Sequence, residues 1–166
     1  IERNAFSPGS LASKKFNEFV NQNKEIYQKS ECACKVALMW SQDTANNYSS
    51  SVEQSDFTSA KTAGFKQRGD HYAELMSFFD ILTRAHIQFD VIDEVKVKED
   101  LSKYKFVIAP DCACMDDETA AALTAFVTGG GELLSTFDTG FYNADGSYVE
   151  APKLAEVQGI TAVKGV

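Results

Sequence analysis

The sequence is short of histidine and of basic residues, and it has no long apolar stretch. No apolar run approaches the ~18–20 residues of a membrane-crossing helix, which excludes a helical span. Lysine and arginine total 16 against 24 acidic residues, for a net charge of −8. Nucleic acid needs a basic face to neutralise phosphates, and an anionic membrane surface attracts basic segments, so neither is expected as a partner. Only two histidines are present, His71 and His86, which restricts any imidazole-dependent chemistry to those two positions. No secretory leader pattern opens the chain. Ile1 stands where a start methionine would be, so a piece of a longer protein is expected. The four cysteines form two Cys-x-Cys pairs, Cys32 with Cys34 and Cys112 with Cys114. That is not the dense spacing of a disulfide scaffold. A reducing, cytoplasmic setting is expected.

What remains is an ordinary globular composition, 44% apolar and 24% charged over 166 residues, enough for one domain with a real core. The apolar period alternates between helix and strand. Helices are expected over 10–28, 70–85, 116–128 and 152–157, the second carrying the stripe Tyr72, Leu75, Met76, Phe79 and Leu82. Strands are expected over 35–40, 87–92, 106–109, 132–136 and 160–163, most of them compact apolar runs that suit burial on both faces. The stretch 41–66 is polar and irregular, long for a loop in a compact domain. The order α-β-α-β-β-α-β-α-β predicts a three-layer α/β/α, flavodoxin-like domain with a mainly parallel sheet. In such sheets ligands gather at the carboxyl ends of the strands, which here lead into 41–48, 93–97, 111–115 and 137–146.

Several chemistries can be weighed at that rim. A Cys₄ zinc site is disfavoured, because Cys32 and Cys34 precede the first strand while Cys112 and Cys114 follow the third, roughly 20 Å away along a parallel strand. Cys112 or Cys114 as a thiolate nucleophile would need a base, and only His71 could approach them; otherwise His71 is a solvated or interface residue. Asp43, Asp93, Asp111 and Asp138 could reach the rim as a carboxylate pair, whereas Asp116, Asp117 and Glu118 read as helix capping. Gly129, Gly130 and Gly131 follow a helix and precede a strand, the reverse of a phosphate loop, and are read as a turn.

Specific strings carry a resemblance. In order they are residues 35–41, the helix–strand unit 72–92, 101–110 (Leu-Ser-Lys-Tyr-Lys-Phe-Val-Ile-Ala-Pro), 117–119 running to 126–134 (Phe-Val-Thr-Gly-Gly-Gly-Glu-Leu-Leu), 136–140 (Thr-Phe-Asp-Thr-Gly) and 154–160. This set resembles the middle, trimerisation domain of family 42 glycoside hydrolases of the β-galactosidase type, within the class I glutamine-amidotransferase-like superfamily. The resemblance implies that residues 1–34 are a helical connector from an upstream catalytic (β/α)₈ barrel and that 35–166 form the amidotransferase-like domain. It places Asp138 where amidotransferases carry the nucleophile-elbow cysteine, and no histidine follows His86, so the triad is expected to be absent. It implies no catalytic residue, cofactor or metal in this chain, with the barrel and a homotrimer as partners. Interface or sugar-pocket candidates are Trp40, Asn47, Tyr48, Phe57, Phe65, His71, Phe141 and Tyr142. The rivals are a thiol hydrolase using Cys112 or Cys114, and a small-ligand-binding flavodoxin-like module.

Overall fold

The computed structural model describes residues 8–30, 32–48 and 69–160. The chain divides into two units at Cys32 and Ala33. The first contains α1 (Pro8–Gln22) and α2 (Lys24–Lys29). One continuous helix was expected here. The break falls at Asn23, whose side-chain amide donates to the Phe19 carbonyl at 2.8 Å; asparagine competes for backbone partners in this way and interrupts helices. The apolar stripe of this unit, including Leu11, Phe16, Phe19 and Ile26, is exposed.

The second unit runs β1 (Val36–Met39), α3 (Gln42–Asn47), α4 (His71–Arg84), β2 (Phe89–Ile92), α5 (Glu94–Glu99), β3 (Phe106–Ala109), β4 (Cys114–Met115), α6 (Asp117–Thr128), β5 (Glu132–Ser135), β6 (Tyr142–Asn143) and α7 (Ala155–Gln158). The main sheet is wholly parallel in the order β2-β1-β3-β5. Leu38 sits in register between Val91 and Ile108. Because β4 belongs to a separate two-stranded sheet with β6, the main strands follow the 2-1-3-4 order of flavodoxin-like domains, with the topological switch between β1 and β3.

Alternation along the strands divides the core. Leu38 and Ile108 pack with Leu75 and Leu82 of α4 on one face. Ala37, Met39, Val107 and Ala109 pack on the other with Val97 of α5 and Ala120 and Leu123 of α6. Asp70 caps α4 through Ala73 N–H and Asp116 caps α6 through Thr119 N–H, as expected of acids at those positions.

Three elements depart from expectation. Residues 42–47 form a helix inside the stretch read as irregular, started by the Ser41 side chain accepting from Thr44 N–H. Helix α5 stands where two strands were read as directly consecutive; Asp93 caps it, and it supplies the crossover by which the chain passes from β2 over β1 to the parallel β3. The short β4–β6 pair was not read at all. Of the fifth strand expected over 160–163, residues 161–163 lie outside the described residues, as do Phe57 and Phe65. No helix among the described residues is long and apolar enough to cross a membrane.

Candidate functional site

The carboxyl ends of β1, β3 and β5 form a rim built from Trp40 and Ser41, from Pro110, Asp111 and Cys112, and from the turn at 136–140. The first turn of α4 lies across it. A doubly wound sheet offers its ligand crevice at the β1/β3 switch, and in this protein His71 fills it. Its Nε2 accepts from the Ser41 backbone N–H at 3.0 Å, and its Nδ1 lies 2.6 Å from the Pro110 carbonyl oxygen. A backbone N–H can only donate and a carbonyl can only accept, so the ring is the neutral Nδ1–H tautomer with both nitrogens engaged. The residue is 5% exposed, and burial holds its pKa below the usual 6.5. The Trp40 ring sits against it at 5.0 Å between centroids. The reading of His71 as a solvated residue or a base for a rim thiol is therefore corrected: it is a buried fastener between two strand ends.

The thiols are equally unsuited to attack. Cys112 is fully buried, with Sγ 3.8 Å from the carbonyl oxygens of Met39 and Pro110. Burial pushes its pKa well above the ordinary thiol range, and the charges of Glu94, Asp111 and Glu74 push the same way. Cys114 is also fully buried, within β4, and its backbone is locked to α3. Its N–H donates to Thr44 Oγ1 at 3.0 Å, and its carbonyl accepts from the Thr44 and Ser41 hydroxyls at 3.3 and 3.4 Å. Cys34 precedes β1, at the opposite end of the parallel strands from Cys112, which follows β3, so the thiols of this unit do not gather at the rim.

The carboxylates do not face one another across an open cleft. Asp93 caps α5. Asp43 is partly buried, and burial together with the nearby Glu94 raises its pKa. Asp138 Oδ2 accepts from the Tyr48 hydroxyl at 2.8 Å. The left-handed residue in the turn after β5 is Phe137, at φ 46°, so the strained position of a nucleophile elbow falls one residue before Asp138. Asp111, at φ 42°, is fully buried. Burial first, then repulsion by Glu74, Asp138 and Asp70, pushes its pKa up to about 7, with the Asp138 N–H acting in the opposite sense.

The aromatic candidates separate into two groups. Tyr48 and Tyr142 are buried together, edge to face at 5.1 Å, in a small cluster with Ala113 and Cys114 on which Phe141 packs. These three are packing residues. The Tyr48 hydroxyl also accepts from Gly69 N–H at 3.0 Å. Asn47 is exposed, and its amide holds the Ala144 carbonyl at 2.8 Å. Trp40 lines a cavity of about 190 Å³ together with Tyr48, His71, Thr44, Asp70 and Tyr72. Sequence reasoning missed Tyr72 as a rim residue; its place two residues after the capping Asp70 was the available signal.

Comparison with known proteins agrees with this architecture. The family model described as the β-galactosidase trimerisation domain matches residues 34–165. Beta-galactosidase BgaP of Planococcus sp. (strain L4) is 28% identical over 141 residues, which are 81% of this chain and 19% of that protein. Beta-galactosidase BgaA of Planococcus sp. (strain 'SOS Orange') is 39% identical over 74 residues, 45% of this chain and 10% of that one. The crystal structure of the β-galactosidase from Bacillus circulans sp. alkalophilus superposes with a TM-score of 0.59 at 28% identity, covering 86% of this chain and 20% of that chain. The chain thus spans about a fifth or less of these relatives. Its crevice is closed by its own side chains, and it belongs to the β-galactosidase trimerisation-domain family.

Proposed function

We propose that this chain is the non-catalytic assembly domain of a longer, cytoplasmic β-galactosidase-type glycoside hydrolase. In this reading α1 and α2 are the connector to a catalytic barrel, and the domain holds three subunits together by contact. The observation that carries the reading is the closed β1/β3 crevice. His71 occupies the position a ligand would take, and the neighbouring Cys112 is buried and held protonated. The amidotransferase-like and ligand-binding rivals both need that space.

The surface that supports contact is the outer side of α4. Tyr72, Met76 and Phe79 recur at helical spacing and are 62%, 43% and 41% exposed. Beside them the edge strand β2 leaves Val91 exposed. An apolar stripe next to an open sheet edge is the kind of surface that association buries. The cavity beside Trp40 and Tyr72 is the feature best suited to wall a neighbouring subunit's sugar pocket.

Sedimentation equilibrium tests the proposal. The wild-type chain is expected at three times 18.2 kDa, and a Tyr72→Glu, Met76→Glu double variant with unchanged circular dichroism is expected as a monomer. A wild-type chain that stays monomeric at all accessible concentrations overturns self-assembly. A variant that still trimerises moves the interface away from α4.

A further inference from the structure

Among the described residues, Asp111 is the one carboxylate with both oxygens closed to solvent and no hydrogen bond from a side chain; the backbone N–H of Asp138 is a donor beside it. An unpaired buried charge is costly unless something neutralises it. The groups around it offer no cation. From α4 it faces Asp70, His71 and Glu74; from the turn after β5, Asp138; from the end of α3, Tyr48, whose hydroxyl is engaged by Asp138 and Gly69. His71 is neutral because its Nε2 accepts from Ser41 N–H. Cys112 beside it is a buried, protonated thiol. Thr136 takes the Asp111 N–H at 2.9 Å and turns its own proton toward Glu74.

The cover over Asp111 is thin and close. A Cβ on Gly69 would lie 2.0 Å from Asp111 Oδ2 and 2.7 Å from Phe137 Cδ1, so the carboxyl and the Phe137 ring both lie against Gly69. Asp111 and Phe137 both hold left-handed backbone conformations, at φ 42° and 46°. Such strain in non-glycine residues persists only where surrounding contacts enforce it, and it collects at switch regions.

We propose that Asp111 is a proton-operated latch on the rim: with its carboxyl protonated, Gly69 and Phe137 close over it, and when the proton leaves to solvent they move off, while His71 keeps α4 docked on Ser41 and Pro110. Water admitted by the opening solvates the carboxylate, which no side chain of the closed rim does. The sign follows from linkage. The closed state holds a proton that the open, solvated carboxyl releases in the ordinary carboxylate range. Closure is therefore strongest in acid and weakens as pH rises toward about 7. Above that the closed state ionises as well, and the effect levels off.

Hydrogen exchange of the Gly69 amide, which donates to the Tyr48 hydroxyl, and of the amides at 136–140, followed from pH 5 to 8.5 and corrected for intrinsic exchange, reads the latch. The difference between wild type and Asp111→Asn isolates it from His71, which titrates in both. Wild-type protection relative to the variant is expected to fall on the order of tenfold per pH unit up to about pH 7 and then flatten. Glu74→Gln removes a like charge, so its plateau is expected to begin at lower pH. A wild-type profile parallel to that of Asp111→Asn overturns the latch. If Asp111→Asn does not fold, an unmoved plateau in Glu74→Gln overturns it equally.

Discussion

Replacing His71 with leucine removes the plug of the β1/β3 crevice while keeping an apolar side chain of similar reach. Two groups then lose their partners at once. Ser41 is fully buried and its N–H has the imidazole as acceptor; Pro110 is fully buried and its carbonyl has Nδ1–H as donor. Each orphaned buried group costs ~1–3 kcal/mol, so the variant should lose roughly 2–6 kcal/mol. For a domain of this size that is a fall in Tm of roughly 5–20 °C. Urea unfolding at pH 7.5, with two probes to check two-state behaviour, measures it. The pH dependence gives a second handle. Burial keeps the folded-state pKa of His71 below 6.5, so the unfolded chain takes up the proton first. The imidazole's contribution is full above about pH 6.5 and is lost as pH falls toward the depressed folded value. His71→Leu has no such acid limb. A loss under ~1 kcal/mol, or an acid limb of equal slope in both proteins, would refute the fastener.

The buried thiol and the tyrosine bridge give two further tests. Cys112 should resist a thiol reagent in the native protein at neutral pH and react only at the rate of unfolding, whereas Cys32, which is exposed, should react at once; rapid native labelling of Cys112, located by peptide mapping, would revive the thiol-hydrolase reading. Tyr48→Phe deletes the hydroxyl that joins Asp138 to Gly69 N–H and should cost ~1–3 kcal/mol with an unchanged urea m-value. An unshifted midpoint there would mean that the bridge adds nothing to folding.

The elements that the sequence disclosed are those with enough residues to show a period. Helices α4 and α6 each carry several apolar turns behind a capping acid, and β1, β3 and β5 are runs of four. Helix α5 was illegible because Val95 and Val97 alternate with charges over a single turn and a half. Of the two valines only Val97 is buried, which fits a strand period as well as a helical one. Strands β4 and β6 have two residues each, too few for any pattern. At the rim, residue types were legible and partners were not. Tyr48 and Tyr142 stand in polar surroundings along the chain, yet they meet through the β4–β6 pairing to make a small core of their own. Asp138 was placed by spacing from Gly140, but backbone strain is a property of φ and fell on Phe137. The role of His71 depends on which carbonyl and which N–H the sheet brings to its ring, and a lone histidine in a helix's first turn says nothing of that.

The plugged crevice at this rim and the exposed apolar stripe can be traced to one helix. Where β1 and β3 part, their last backbone groups turn out of the ladder and need partners, since buried N–H and C=O groups are seldom left unpaired. A ligand can supply them, as in other doubly wound sheets; here the first turn of α4 brings an imidazole that satisfies Ser41 N–H and Pro110 C=O together. That fixes the rotation of α4 about its own axis. With His71, Leu75 and Leu82 turned inward, Tyr72, Met76 and Phe79 must point outward at the offsets a 3.6-residue period dictates. The same three-atom bridge that closes the crevice thereby presents the apolar stripe to solvent. A variant that frees the crevice by removing His71 should disturb that stripe too, so the plugged crevice and the exposed stripe are two consequences of a single docking geometry.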